Sequence, residues 1–79
     1  MKNNVVEISE LIRKGRDFLE NGQFDKALGC FEQAIFLDQK NPELWNLKAV
    51  SLRSMGRYDE AIECFNQSLE LDPRDRYSS

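Results

Sequence analysis

Cys30 and Cys64 are the residues of this chain best suited to nucleophilic, redox or metal chemistry. The chain has no histidine, and its cysteines are far apart, so the common zinc-ligand spacings are missing. No glycine-rich loop of the phosphate-cradling kind is present. The adjacent carboxylates Asp59 and Glu60 could suggest acid–base work. They stand at the start of a helical pattern, however, where negative charge simply favours the helix dipole. The side chains therefore point away from catalysis, from a metal, from a cofactor and from a small-molecule substrate. The remaining candidates for binding are the arginines, planar cations able to grip a carboxylate or a carbonyl.

The elements that would position these residues come from an internal repeat. Residues 8–41 laid over 42–75 give identities at Lys14/Lys48, Gly22/Gly56, Asp25/Asp59, Ala27/Ala61, Cys30/Cys64, Phe31/Phe65, Gln33/Gln67, Leu37/Leu71 and Asp38/Asp72. Chance would give about two. A period of this length marks a stacked-repeat architecture. Cys30 and Cys64 then lie about one repeat apart, roughly the 8–10 Å between packed helices, which is beyond disulfide reach. Two part-buried free thiols are expected.

Each copy reads as two helices. Val5, Ile8, Leu11, Ile12, Gly15, Phe18 and Leu19 recur at three- and four-residue steps and predict a helix over 5–20. Asn4 with Glu7 has the form of a capping box, and Asn21-Gly22 ends the helix. Phe24, Ala27, Leu28, Phe31, Ala34, Ile35 and Leu37 form the second stripe. Gly29 inside it costs about 1 kcal/mol against Ala; it reads as neutral on an exposed face, or as a place where something approaches the backbone. Asn41, Pro42 and Glu43 open the third helix as N-cap, first helical position and dipole-matched acid. Leu44, Trp45, Leu47, Lys48, Ala49, Leu52 and Met55 follow, up to Gly56. The fourth carries Tyr58, Ala61, Ile62, Phe65, Ser68, Leu69 and Leu71, and Asp72-Pro73 stops it. Small residues (Gly15, Ala27, Ala49, Ala61) fall where helices approach closely. Phe24, Phe31, Trp45, Tyr58 and Phe65 are expected to fill the core.

A chain of 79 residues agrees with one small domain spanning 5–73, with 1–4 and 74–79 as flexible ends. Eleven basic against 14 acidic residues leave a net charge of −3, which gives no support to nucleic-acid binding. The longest apolar run, Ala34-Ile35-Phe36-Leu37, is far too short for a membrane span. Met1-Lys2-Asn3-Asn4 lacks the apolar core of a secretory signal, so a cytoplasmic location is expected.

In the second copy, Trp45, Ala49, Leu52, Gly56, Tyr58, Ala61, Phe65, Ser68 and Pro73 stand at the spacing of a tetratricopeptide repeat (TPR), which the sequence resembles. The first copy matches through Gly15, Phe18, Gly22, Phe24, Ala27, Phe31 and Ala34, with Leu11 for the Trp and Gln39 for the Pro. The resemblance implies an all-α fold, two antiparallel helix pairs stacked as a right-handed α-solenoid. It also implies a non-catalytic module that binds a peptide or protein in a concave groove lined by the first helix of each pair. Carried over by position, the groove holds Ser9, Ile12, Arg16 and Leu19 from the first copy, and Glu43, Asn46, Val50 and Arg53 from the second. Ile12, Leu19 and Val50 would form its apolar floor. The clamp of chaperone-tail-binding members is not matched, since Ile12, Arg16 and Leu47 stand at its places.

Repeats hide their apolar faces against neighbours and normally end in a polar cap. The sequence ends at Ser79, early in what would be a third repeat, so some of Ile62, Phe65, Leu69 and Leu71 are expected to face outward. A self-associating unit that oligomerises through Ile62, Phe65 and Leu69 is the alternative reading; another is that the chain is a fragment of a longer repeat protein.

Overall fold

The computed structural model describes residues 4–71 and places four α-helices in them: α1 (Asn4–Glu20), α2 (Phe24–Leu37), α3 (Pro42–Ser54) and α4 (Tyr58–Leu71). Each packs on the next, α1 on α2, α2 on α3 and α3 on α4. The result is two helical hairpins stacked side by side, as the repeat implied. The Asn4 side chain and the stop at Asp72-Pro73, on which two expectations rest, lie outside the described residues, as do the chain ends.

The two hairpin turns are built alike. Gly22 and Gly56 take φ of 78° and 81°, the left-handed region that side-chain-bearing residues avoid. The Gln23 amide donates to the Phe18 carbonyl at 2.9 Å and the Gly22 amide to Leu19 at 3.1 Å. The Arg57 amide reaches Leu52 at 2.9 Å, and the Gly56 amide reaches Arg53 at 3.0 Å. These paired bonds satisfy the last carbonyls of α1 and α3, in the motif that glycine termination predicts. At the joint between hairpins, Asn41 Oδ1 accepts from the Glu43 amide at 3.0 Å, with Pro42 opening α3. Trp45 Nε1 donates to the Gln39 carbonyl at 2.9 Å and ties the same joint.

Phe31 holds the packing together. It is fully buried and clusters with Ala27 and Leu47, with Ile12, Phe18 and Leu19 packed around them. One ring thus touches residues of α1, α2 and α3. It fits because Gly15 is bare: a Cβ built there would stand 2.6 Å from Phe31 Cζ. Burying such a ring is worth about 1.5–3 kcal/mol. Ala34, Ile35 and Leu44 form a second cluster, and Leu28, Ala49, Leu52, Ala61 and Cys64 a third. The small residues expected at close approaches, Ala27, Ala49 and Ala61, are all buried. Buried Ser51 donates to the Leu47 carbonyl at 3.1 Å, and Ser68 Oγ crosses to the Pro42 carbonyl at 2.9 Å. The second bond stitches α4 to the start of α3.

One core expectation is corrected. Tyr58 is 62% exposed, because no described element packs on the outer side of α4. Its first-repeat counterpart Phe24 is half-buried. Both cysteines are free, Cys64 buried and Cys30 half-buried. Burial pushes the Cys64 thiol above its usual pKa; Glu63, Glu60 and Glu32 add to this and Lys48 opposes it.

Two glycines of the same helical kind should respond oppositely to Ala. Gly15→Ala should destabilise by about 1–3 kcal/mol through overpacking against Phe31, despite alanine's better helix propensity. Gly29→Ala, with open space above its backbone, should stabilise by up to about 1 kcal/mol. Urea unfolding of both variants checks this, and equal shifts would contradict the packing account. In a thiol-reagent assay at neutral pH, Cys64 should react more slowly than Cys30, since a raised pKa leaves less thiolate.

Candidate functional site

α1 and α3 come side by side because both lie against α2 through the Phe31 cluster. Arg16 Nη1 sits 3.8 Å from Glu43 Oε2 and bridges the two helices. These two side chains belong to the groove positions carried over from the resemblance. Arg16 and Glu43 are 61% and 56% exposed at their side chains, so water screens the pair. Exposed pairs of this kind are worth about 0–1 kcal/mol. A ligand carboxylate could displace Glu43 at small cost.

The other groove positions divide by burial. Ser9, Asn46 and Arg53 are exposed, and Val50 is half-buried. Ile12 and Leu19 are half-buried and pack against the Phe31 cluster, so they support the helices as well as facing the strip between them. On α1, Ile12, Arg16 and Leu19 recur at four- and three-residue steps. On α3, Asn46, Val50 and Arg53 do the same. Each set therefore shares one side of its helix. Between them the two helix sides carry two planar cations, one amide and three half-buried apolar side chains. Such a surface can bind carboxylates and backbone carbonyls. It contains no nucleophile–base pair.

The self-association candidates lie on α4. Ile62 is 55% exposed, while Phe65 and Leu69 are half-buried. Phe65 packs against the cluster around Leu28 and Leu52 and is partly a core residue. The first repeat supplies the comparison: Leu28, Phe31 and Ile35, the counterparts of Ile62, Phe65 and Leu69, are 8%, 0% and 8% exposed under α3.

Sequence reasoning missed two features. One is Glu43 as the intramolecular partner of Arg16, which depends on the stagger between α1 and α3 and has no local sequence signal. The other is Phe36, 79% exposed, which stands beside two buried or half-buried neighbours in an apolar run and could have been separated from them by helical period. Among the described residues, no group of three or more His, Cys, Asp or Glu side chains could hold a metal. No described helix is long and apolar enough to cross a membrane.

A search of curated proteins finds no match to this chain. The family model for the tetratricopeptide repeat matches residues 12–76, a span that takes in most of α1 and all of α2, α3 and α4. With two stacked hairpins of the same plan and a family match over most of its length, the chain belongs to the tetratricopeptide repeat family.

Proposed function

We propose that the side of the stack shared by α1 and α3 binds a peptide or a segment of a partner protein, with Arg16 and Arg53 as polar anchors. Tetratricopeptide repeats generally mediate protein–protein interaction and serve as non-catalytic scaffolds. The observation that carries the reading is the exposed set Arg16, Asn46 and Arg53 around half-buried Val50, flanked by Ile12 and Leu19. The two arginines favour a ligand with carboxylates or a free C-terminus, and the strip favours small aliphatic side chains between them. The chain itself does no chemistry in this reading. Its two free thiols suit a reducing, cytoplasmic setting.

The test uses peptides selected from a random library on the wild-type chain. The double charge reversal Arg16→Glu with Arg53→Glu should weaken them by about 10–100-fold, the range expected for charged hydrogen bonds lost from a site. Both positions are exposed, so the circular dichroism spectrum should not change. Unaltered affinity in a folded variant would remove this face from the proposal.

The burial contrast on α4 favours a second reading, self-association through Tyr58, Ile62 and Leu69. A head-to-tail stack of copies would set α1 on α4 as α3 sits on α2. The α1 residues then facing α4 would be Glu10, Arg13 and Asp17, where α3 has Leu44, Leu47 and Ser51. Burying these charges is costly even with Arg13 paired to Glu10, since Asp17 would enter the interface as well. Assembly would instead be a closed pair, α4 against α4. Ile62→Glu is the variant of choice, because Phe65 also serves the core. It should turn a dimer into a folded monomer by light scattering over a tenfold concentration range, and a wild-type chain monomeric throughout would sink this reading.

A further inference from the structure

A cavity lies between α1 and α2, away from the α1–α3 positions described above. On α1, Glu7, Leu11 and Lys14 form its wall at four- and three-residue steps, nearly opposite the stripe of Ile12, Arg16 and Leu19. On α2 the wall is Gly29, Gln33, Phe36 and Leu37. Its volume is about 700 Å³.

The chain contains its own reference for this groove. The second repeat has a cavity at corresponding positions, between α3 and α4, of only about 270 Å³. Four positions are shared: Leu11 with Trp45, Lys14 with Lys48, Gly29 with Glu63, and Gln33 with Gln67. Two of them differ in the direction that opens the first groove. Leu11 replaces an indole and Gly29 replaces a glutamate. A Cβ at Gly29 would meet nothing within 4 Å, so the backbone there is bare. In the second repeat the aromatic wall is internal: Trp45 lies beside Lys48, whose Nζ is 5.5 Å from the ring centroid. In the first repeat Lys14 has no such ring. Phe36, 79% exposed, stands at the lip where the second repeat has Glu70.

The charges at the rim narrow the occupant. Glu7, Glu10, Glu32 and Lys14 line the groove, with Arg13 and Lys48 just behind two of the glutamates. Glu10 is held by Arg13 in an exposed pair, which water screens and a ligand can exchange, whereas Glu32 meets the half-buried Lys48 at 3.5 Å. We infer that this groove is a second docking site, for a partner segment that brings an aromatic side chain flanked by lysine or arginine. The aromatic ring would lie on Leu11 and Leu37 beside Phe36, over the bare backbone at Gly29, in the role Trp45 fills within the second repeat. The flanking cations would meet Glu7 and Glu10. This site is independent of the Arg16 and Arg53 face and has the opposite charge preference.

The test titrates ¹⁵N-labelled chain with acetyl-Lys-Trp-Lys-amide and, separately, with acetyl-Lys-Ala-Lys-amide. The tryptophan peptide should shift the amides of Leu11, Gly29, Phe36 and Leu37 saturably. The alanine peptide should bind about tenfold more weakly or worse, the loss expected for one buried ring. Leu11→Trp, which supplies the ring internally, and Gly29→Glu, which restores the second repeat's residue at an open helical position, should each abolish the shifts. Gly29→Glu keeps the test decisive if the indole variant fails to fold. The inference is overturned by an absence of saturable shifts at millimolar peptide, by equal binding of both peptides, by undiminished binding to folded Gly29→Glu, or by shifts confined to Ile12, Arg16, Val50 and Arg53.

Discussion

The structure depends on one aromatic ring meeting one missing side chain. Phe31 is fully enclosed, and it can be so only because Gly15 lets α1 approach α2 closely. The same ring carries Leu47 of α3 on its other side. Three helices are therefore spaced by a single contact set, and the relative placing of α1 and α3 follows from it. That placing brings Arg16 of α1 to 3.8 Å from Glu43 of α3. The route from sequence to function runs through packing here: a glycine chosen for volume decides where two exposed side chains meet.

Repetition turns one protein into two experiments on the same positions. Where α3 covers α2, Leu28 and Ile35 are each 8% exposed; where no described helix covers α4, Ile62 is 55% exposed. The residue types barely change, so cover alone separates the two. Burial of one such side chain is worth about 1.5–3 kcal/mol, which gives any element able to cover α4 a real driving force. The grooves within each hairpin show the reverse case. There the residue types differ, with Leu11 and Gly29 in place of Trp45 and Glu63.

Much of this fold is legible in the sequence because its determinants are local. Helical period gives the four helices. Gly22 and Gly56 give the turns through φ values of 78° and 81°, and Asn41-Pro42 gives the start of α3. The volume rule for Gly15, Ala27, Ala49 and Ala61 also follows, since bulky partners recur opposite them. What is not legible depends on neighbours distant in sequence. Tyr58 fits an apolar stripe, yet is 62% exposed because a stripe does not say what covers it. Ile12 and Leu19 read as groove floor, but their half-buried side chains also serve the Phe31 cluster, a division that only the spacing of α1 from α3 sets. The Arg16–Glu43 pair joins residues whose proximity depends on helix stagger. The groove at Leu11 and Gly29 stands out only when the two copies are compared in three dimensions.

The central claim, that a partner lies along the face shared by α1 and α3, is tested most directly by where a bound ligand touches the chain. A library-selected peptide carrying a photo-activated cross-linker should leave its adducts on α1 and α3, at or beside Arg16, Asn46, Val50 and Arg53, when located by mass spectrometry. Adducts confined to the outer side of α4, around Tyr58 and Ile62, would contradict the claim and make the uncovered end of the stack the surface that binds.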